Sequence, residues 1–270
     1  TKGKIELAHY AAKKMPEVLS ALEDYFGVDY PYEKLDTVAV PEFPFGAMEN
    51  AGLVTYREDI LLVDEKNASQ NSKERAVSII AHELAHQWFG NKITCGSWSD
   101  LWLNESFATY FTGLTYDFNV VHSQQFWPNW LNGTENGGLA FPTGSVYRYG
   151  TDTLFVNSLF NNQVYAKGAI TLHTLRWKIG DSAFFAGVYN YINDPALEFG
   201  FAKTPDLVQH LEASYGSSLT EFFDDWIYGA GYPRISSYWS QNGSNFQLTV
   251  QQTPSDTSVS FFEIPVPYRL

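Results

Sequence analysis

Cysteine is nearly absent from this sequence: Cys95 stands alone among 270 residues. One thiol excludes an intrachain disulfide and a thiolate-built metal cluster, and it leaves the redox compartment open. Basic side chains are also scarce, 17 Lys and Arg against 30 Asp and Glu, for a formal net charge of −13. Such an acidic surface argues against nucleic acid and anionic lipid headgroups as partners. It favours solubility and suits a cationic peptide N-terminus. No apolar run approaches the roughly 20 residues of a membrane span, and no signal peptide is visible. Internal repeats and low-complexity tracts are lacking too. The first residue is Thr1 rather than Met, which reads as a processed or excised chain. A secreted or periplasmic setting is the working expectation, resting on no motif.

What is present is apolar: 44% hydrophobic and 17% aromatic residues, enough for one large domain or two moderate ones. Residues 4 to 26 repeat Ile5, Ala8, Ala12, Met15, Leu19 and Leu22 at helical spacing, with Pro16 predicting a break or kink near Met15. Thr37 to Val40, and runs within Leu53 to Val63, read as strands. Val77, Ile80, Leu84 and Trp88 then form a helical stripe, capped by Ser72 and stopped at Gly90-Asn91. A second helix is expected after Ser99, with Asp100 in its first turn and Phe107, Tyr110, Phe111 and Leu114 buried. Residues 132 to 152, rich in Gly, Asn, Thr and Ser, read as a loop over a cleft. Further helices are expected over 156–179, 182–192, 205–215 and 219–228. Thr204 is the predicted cap of the third, and Ser218 with Glu221 a capping box for the fourth. Beyond Gly231-Tyr232-Pro233 the pattern turns to strands: Ile235 to Tyr238, an Asn242-Gly243 turn, Phe246 to Gln251, and another run at Phe261 to Val266. The character is α+β.

The decisive segment is His82-Glu83-Leu84-Ala85-His86. On a helix, positions i and i+4 lie about 40° apart, so both imidazoles face one way and can bind one metal. Glu83 projects beside that line, where a general base is needed. A catalytic zinc requires a third ligand and an open fourth position. Glu105 is the best candidate, 19 positions after His86 on the next helix. The residue six positions after His86 is Lys92, which excludes a three-histidine set. Asp100 and Asn104 are weaker candidates for orienting the imidazoles.

With these motifs the chain resembles the gluzincin aminopeptidases of the aminopeptidase N and leukotriene hydrolase family. The match comprises Gly46-Ala47-Met48-Glu49-Asn50, then His82 to His86 with Gln87-Trp88-Phe89-Gly90-Asn91, then Trp102 to Ser106. It extends through Val164 to Ala169 and Gly231-Tyr232-Pro233. The resemblance implies a thermolysin-like catalytic domain over 1–232, with a mixed α/β lobe (1–118) and a helical lobe (119–232). Residues 233–270 would begin a β-sandwich domain. It implies one Zn2+ per chain on His82, His86 and Glu105. Glu83 would be the base and Tyr165 the donor to the oxyanion. Glu49 would grip a substrate ammonium group, with Gly46, Ala47 and Met48 lining the substrate. The implied substrates are peptides with a free N-terminus. Without the resemblance, Tyr165 is one tyrosine among 17 and Glu49 an ordinary loop acid. Family members also carry an N-terminal β-domain and usually a C-terminal helical domain, neither of which is recognisable here. Two rivals stand beside the peptidase: an epoxide hydrolase on the same scaffold, and a metal- or peptide-binding module without turnover. Ala47, where the epoxide branch typically has glycine, points to the aminopeptidase side.

Overall fold

A computed structural model of the chain describes residues 3–116, 126–140, 142–150 and 158–268. It begins with a 3-10 turn, Ile5–Ala8, that runs into α1, His9–Phe26. Pro16 lies inside α1 without breaking it. Pro16 and Ala12, whose carbonyl the proline cannot bond, both lie on the exposed side, where water can satisfy that carbonyl. Met15, Val18, Leu22 and Phe26 hold the other side in the core. The helix ends on Gly27 in the left-handed region at φ 61°, where a Cβ would be strained.

Strands β1 (Asp36–Val40), β2 (Ala47–Met48) and β3 (Leu53–Arg57) form one sheet in the order β1-β3-β2. β1 runs parallel to β3 and β2 antiparallel to it. The strand reading of 53–63 is only half right: after Arg57 the chain winds into a single turn, α2 (Glu58–Leu61), seated by buried Ile60 and Leu61. Helix α3 spans Gln70–Ala85. Its cap is Ser69, not Ser72; the Ser69 hydroxyl accepts the Ser72 N–H at 3.1 Å. The helix ends at Ala85, short of Gly90, and the chain then uncoils through turns in which the Asn91 and Lys92 N–H groups reach back five residues. Gly90, at φ 139°, completes the turn into β4 (Ile93–Cys95).

A 3-10 turn at Trp98–Asp100 precedes α4, Trp102–Thr115, so Asp100 lies before that helix rather than in its first turn. The expected buried face of α4 is buried, but so is every other residue of it except Thr109. It is the central helix, and Phe107 and Phe111 stack on Phe89 at 4.3 and 5.7 Å between ring centroids.

The loop expected over 132–152 is partly a helix: α5 covers Phe126–Leu139, and among the described residues 142–150 is irregular. Two of the glycines that suggested a loop, Gly137 and Gly138, are packing glycines. A Cβ on Gly137 would lie 3.2 Å from that of Ala166, and one on Gly138 would lie 3.3 Å from the Lys167 Cα. Across the interface with α4, a Cβ on Gly113 would lie 2.6 Å from the Trp130 ring. A π-helical segment, Gln163–Lys167, leads into α6 (Gly168–Ile179), followed by α7 (Asp181–Ile192). The predicted helix start at 156 falls partly outside the described residues.

β5 (Gly200–Ala202) pairs in parallel with β4. Then come α8 (Thr204–Tyr215), α9 (Thr220–Phe223) and a second π-helical segment, Asp224–Tyr228. Thr204 is the first residue of α8, not its cap. Lys203 precedes the helix and its N–H bonds the Asp206 carboxylate, while Thr204 turns inward to Asp100. Ser218 does accept the Thr220 N–H, but its acidic partner is Glu212 rather than Glu221. The hairpin β6 (Pro233–Asn242) and β7 (Asn245–Pro254) pairs Asn242 with Asn245, so Gly243 and Ser244 form its tip. The third strand expected at Phe261 to Val266 does not form; the Phe262 backbone bonds the Gln252 side chain instead. The mixed α and β reading holds. Among the described residues no helix is long and apolar enough to cross a membrane.

Candidate metal centre

The end of α3 and the start of α4 face each other across a cleft of about 1070 Å³. His82 and His86 point into it from consecutive turns, their Nε2 atoms 3.1 Å apart. Glu105 Oε2 lies 3.3 Å from each of them. These three residues are the metal-capable cluster found among the described residues. Zinc bonds of about 2.0–2.1 Å arranged tetrahedrally put donor atoms about 3.3–3.4 Å apart. The observed triangle therefore has nearly the edge lengths of one face of such a site.

The electrostatics agree. Burial opposes a charged His86 ring, but Glu105 overrides it and lifts that ring up to about 10. Burial likewise raises Glu105, yet the two imidazoles draw it well below the usual carboxylate range. Three donors at this spacing are stable only around a shared positive charge, whether proton or metal. His86 Nδ1 donates to the Phe89 carbonyl at 2.9 Å, which leaves its Nε2 lone pair for the cluster.

Glu83 is buried beside the triangle but outside it, and burial pushes its carboxyl up to about 8. Tyr165 enters from the π-helical segment and stacks on His82 with ring centroids 5.9 Å apart. Burial first, then neighbouring Glu105, raises its phenol above the ordinary range. Gly46, Ala47, Met48 and Glu49 line the same cleft along β2 and the turn after it. A Cβ on Gly46 would meet Ile60 at an ordinary 3.5 Å, so internal packing does not demand glycine there.

The two orienting candidates bond other partners, although Asn104 lines the cleft beside Glu105. Asp100 accepts bonds from the Thr204 N–H, the Thr204 hydroxyl and the Ser97 hydroxyl. Asn104 Oδ1 accepts the Cys95 N–H at 3.1 Å. They brace β4 and the start of α8, and His86 is oriented by a backbone carbonyl instead. Sequence reasoning passed over Gln87 and Asn91, whose side-chain amides donate to the Glu49 carbonyl at 2.9 and 2.7 Å. Gln87 also donates to the Glu83 carbonyl at 3.2 Å. An amide one helical turn after Glu83 was the available signal.

A histidine pair one turn apart, closed by a carboxylate and flanked by a buried acid in an open cleft, defines a metallopeptidase-type centre. Residues 10–226 match the Peptidase family M1 domain, and the chain belongs to that family, of the aminopeptidase N type of gluzincin. "Probable aminopeptidase 2" of Sulfurisphaera tokodaii is 37% identical over 250 residues, 91% of this chain and 31% of that protein. "Aminopeptidase M1" of Arabidopsis thaliana is 36% identical over 241 residues, covering 87% of this chain and 27% of that protein. "Glutamyl aminopeptidase" of Rattus norvegicus is 36% identical over 260 residues, covering 93% of this chain and 27% of that protein. The chain thus spans roughly a third or less of the length of these relatives.

Proposed function

We propose that this chain is the catalytic portion of a zinc metallo-aminopeptidase that removes N-terminal residues from peptides. The reading is carried by the triangle of His82 Nε2, His86 Nε2 and Glu105 Oε2, with edges of 3.1, 3.3 and 3.3 Å. These residues would hold one Zn2+, which when bound acts as a Lewis acid and makes water a nucleophile near neutral pH. Glu83 accepts the proton of the attacking water on its carboxylate and passes it to the departing amide nitrogen. Its buried position beside the histidines, and the raised proton affinity of its carboxylate, suit a group that must take and return a proton. The Tyr165 hydroxyl donates to the carbonyl oxygen as negative charge develops there. A phenol held neutral next to carboxylates remains a donor throughout.

Glu49 binds the substrate's ammonium group, and this restricts cleavage to the chain end because an internal peptide bond offers no cation. The clamp from Gln87 and Asn91 supports that role: it fixes the Glu49 backbone relative to α3, hence the span from ammonium site to metal. Gly46, Ala47 and Met48 form the adjoining wall. We further assign 1–232 to a thermolysin-like catalytic domain, 1–118 its α/β lobe and 119–232 its helical lobe, and 233–270 to the beginning of a β-sandwich. The β6-β7 hairpin supports the last assignment.

The test uses the full-length enzyme with aminoacyl-nitroanilides, with and without a chelator, and with N-acetylated counterparts. Turnover should require metal and a free amine. Cleavage of the acetylated substrates at undiminished rate would refute the anchoring role of Glu49, and chelator-resistant turnover would refute the metal's role.

A further inference from the structure

Tyr165 does not sit on an ordinary α-helix. The Lys167 and Gly168 N–H groups reach back five residues, to the Asn162 and Gln163 carbonyls, and Gly168 also contacts the Tyr165 carbonyl. The Val164 carbonyl, which an α-helix would pair with the Gly168 N–H, is passed over. Both Val164 and the residue that meets its carbonyl are 0% exposed, so water cannot serve it. That residue is Ser106 of α4, whose hydroxyl donates to Val164 O at 2.5 Å.

The placement joins two halves of the site. Ser106 directly follows Glu105, and Val164 directly precedes Tyr165. Gly168 allows the approach: a Cβ there would overlap the Ser106 hydroxyl and lie 2.7 Å from the Ser106 Cβ. One extra residue in a helical turn changes the direction of a side chain by about 100°. Relaxing the π-turn into an α-turn would therefore swing the phenol away from His82 and Glu105. Such single-turn bulges are less favourable than α-helix and persist where something holds them.

We infer that Ser106 is a positioning residue for Tyr165, locking the bulged turn through the carbonyl that the bulge leaves over. The inference rests on the role proposed above for Tyr165. In the full-length, zinc-loaded enzyme, Ser106→Ala should lower kcat about tenfold and leave KM within about threefold, as expected for a lost buried hydrogen bond felt in the transition state. Zinc content should be unchanged, and amide hydrogen exchange over 163–168 should accelerate. Gly168→Ala, which crowds the same bond from the other side, should reproduce the pattern. In a Tyr165→Phe background, Ser106→Ala should cost less than about twofold further, because residues acting as one unit are not additive. Equal losses in both backgrounds, or unchanged exchange at 163–168, would overturn the inference. If Tyr165→Phe lowers kcat while Ser106→Ala does not, Ser106 alone is misassigned. If Tyr165→Phe itself leaves kcat intact, the oxyanion role fails and this inference falls with it.

Discussion

Glu83, near the end of α3, and Gln87, one turn further along where the chain uncoils, divide the work of the site. Glu83→Gln preserves shape and removes the proton acceptor. It should reduce kcat by about 10²–10⁴-fold with zinc content unchanged, measurable by steady-state kinetics beside metal analysis. Gln87→Ala removes one of two amides on the Glu49 carbonyl. It should raise KM for free-amine substrates more than it lowers kcat, read from the same kinetics. Proton linkage gives a further prediction. In protein stripped by a chelator, Glu83 titrates at about 8 rather than its ordinary 4.5, and His86 at about 10 rather than 6.5. Both groups hold protons more tightly when folded, so stability present at low pH is lost as pH rises through these shifted values. The unfolding temperature of the chelated protein should therefore fall as pH rises from about 5 to about 10, and Glu83→Gln should flatten the lower part of that fall. His82 and His86 were legible because helix geometry converts their spacing into direction, and Glu105, on another helix, because its distance from His86 matches the spacing of the family it resembles. The Glu49 clamp was not, because its acceptor is a backbone carbonyl, which any residue type carries.

Elements were legible where periodicity was strong and misread where composition stood in for packing. α1, α7 and the hairpin emerged from spacing and turn residues. α5 did not, because Asn and Gly are abundant in loops and the reason for glycine here is contact with other helices. Gly113→Ala tests that account. Its new Cβ would press on the Trp130 ring, and the variant should lose about 1–3 kcal/mol of stability through overpacking. Denaturant unfolding would detect it, and an unchanged midpoint would remove the packing explanation of α5. Caps shifted by one to three residues, from Ser72 to Ser69 and from Thr204 to Lys203, because neighbouring polar residues compete for the same N–H groups. Which one wins depends on tertiary partners such as Asp100, which recruits Thr204.

At the level of the molecule, the hairpin is the unusual part. Nearly all of β6 and most of β7 are exposed on both faces, including Tyr238, Trp239, Phe246 and Val250. A long two-sided ribbon with exposed aromatic side chains is a template for self-association. Residues 1–270 prepared alone should associate more, by light scattering, than the full-length protein, in which further chain can cover the ribbon. The central position of α4 has a different consequence. Glu105 lies in the first turn of a helix buried around almost its whole circumference, so its release should need more than local fraying. Grip on the ion and survival of the fold should then vanish together, in a single cooperative event.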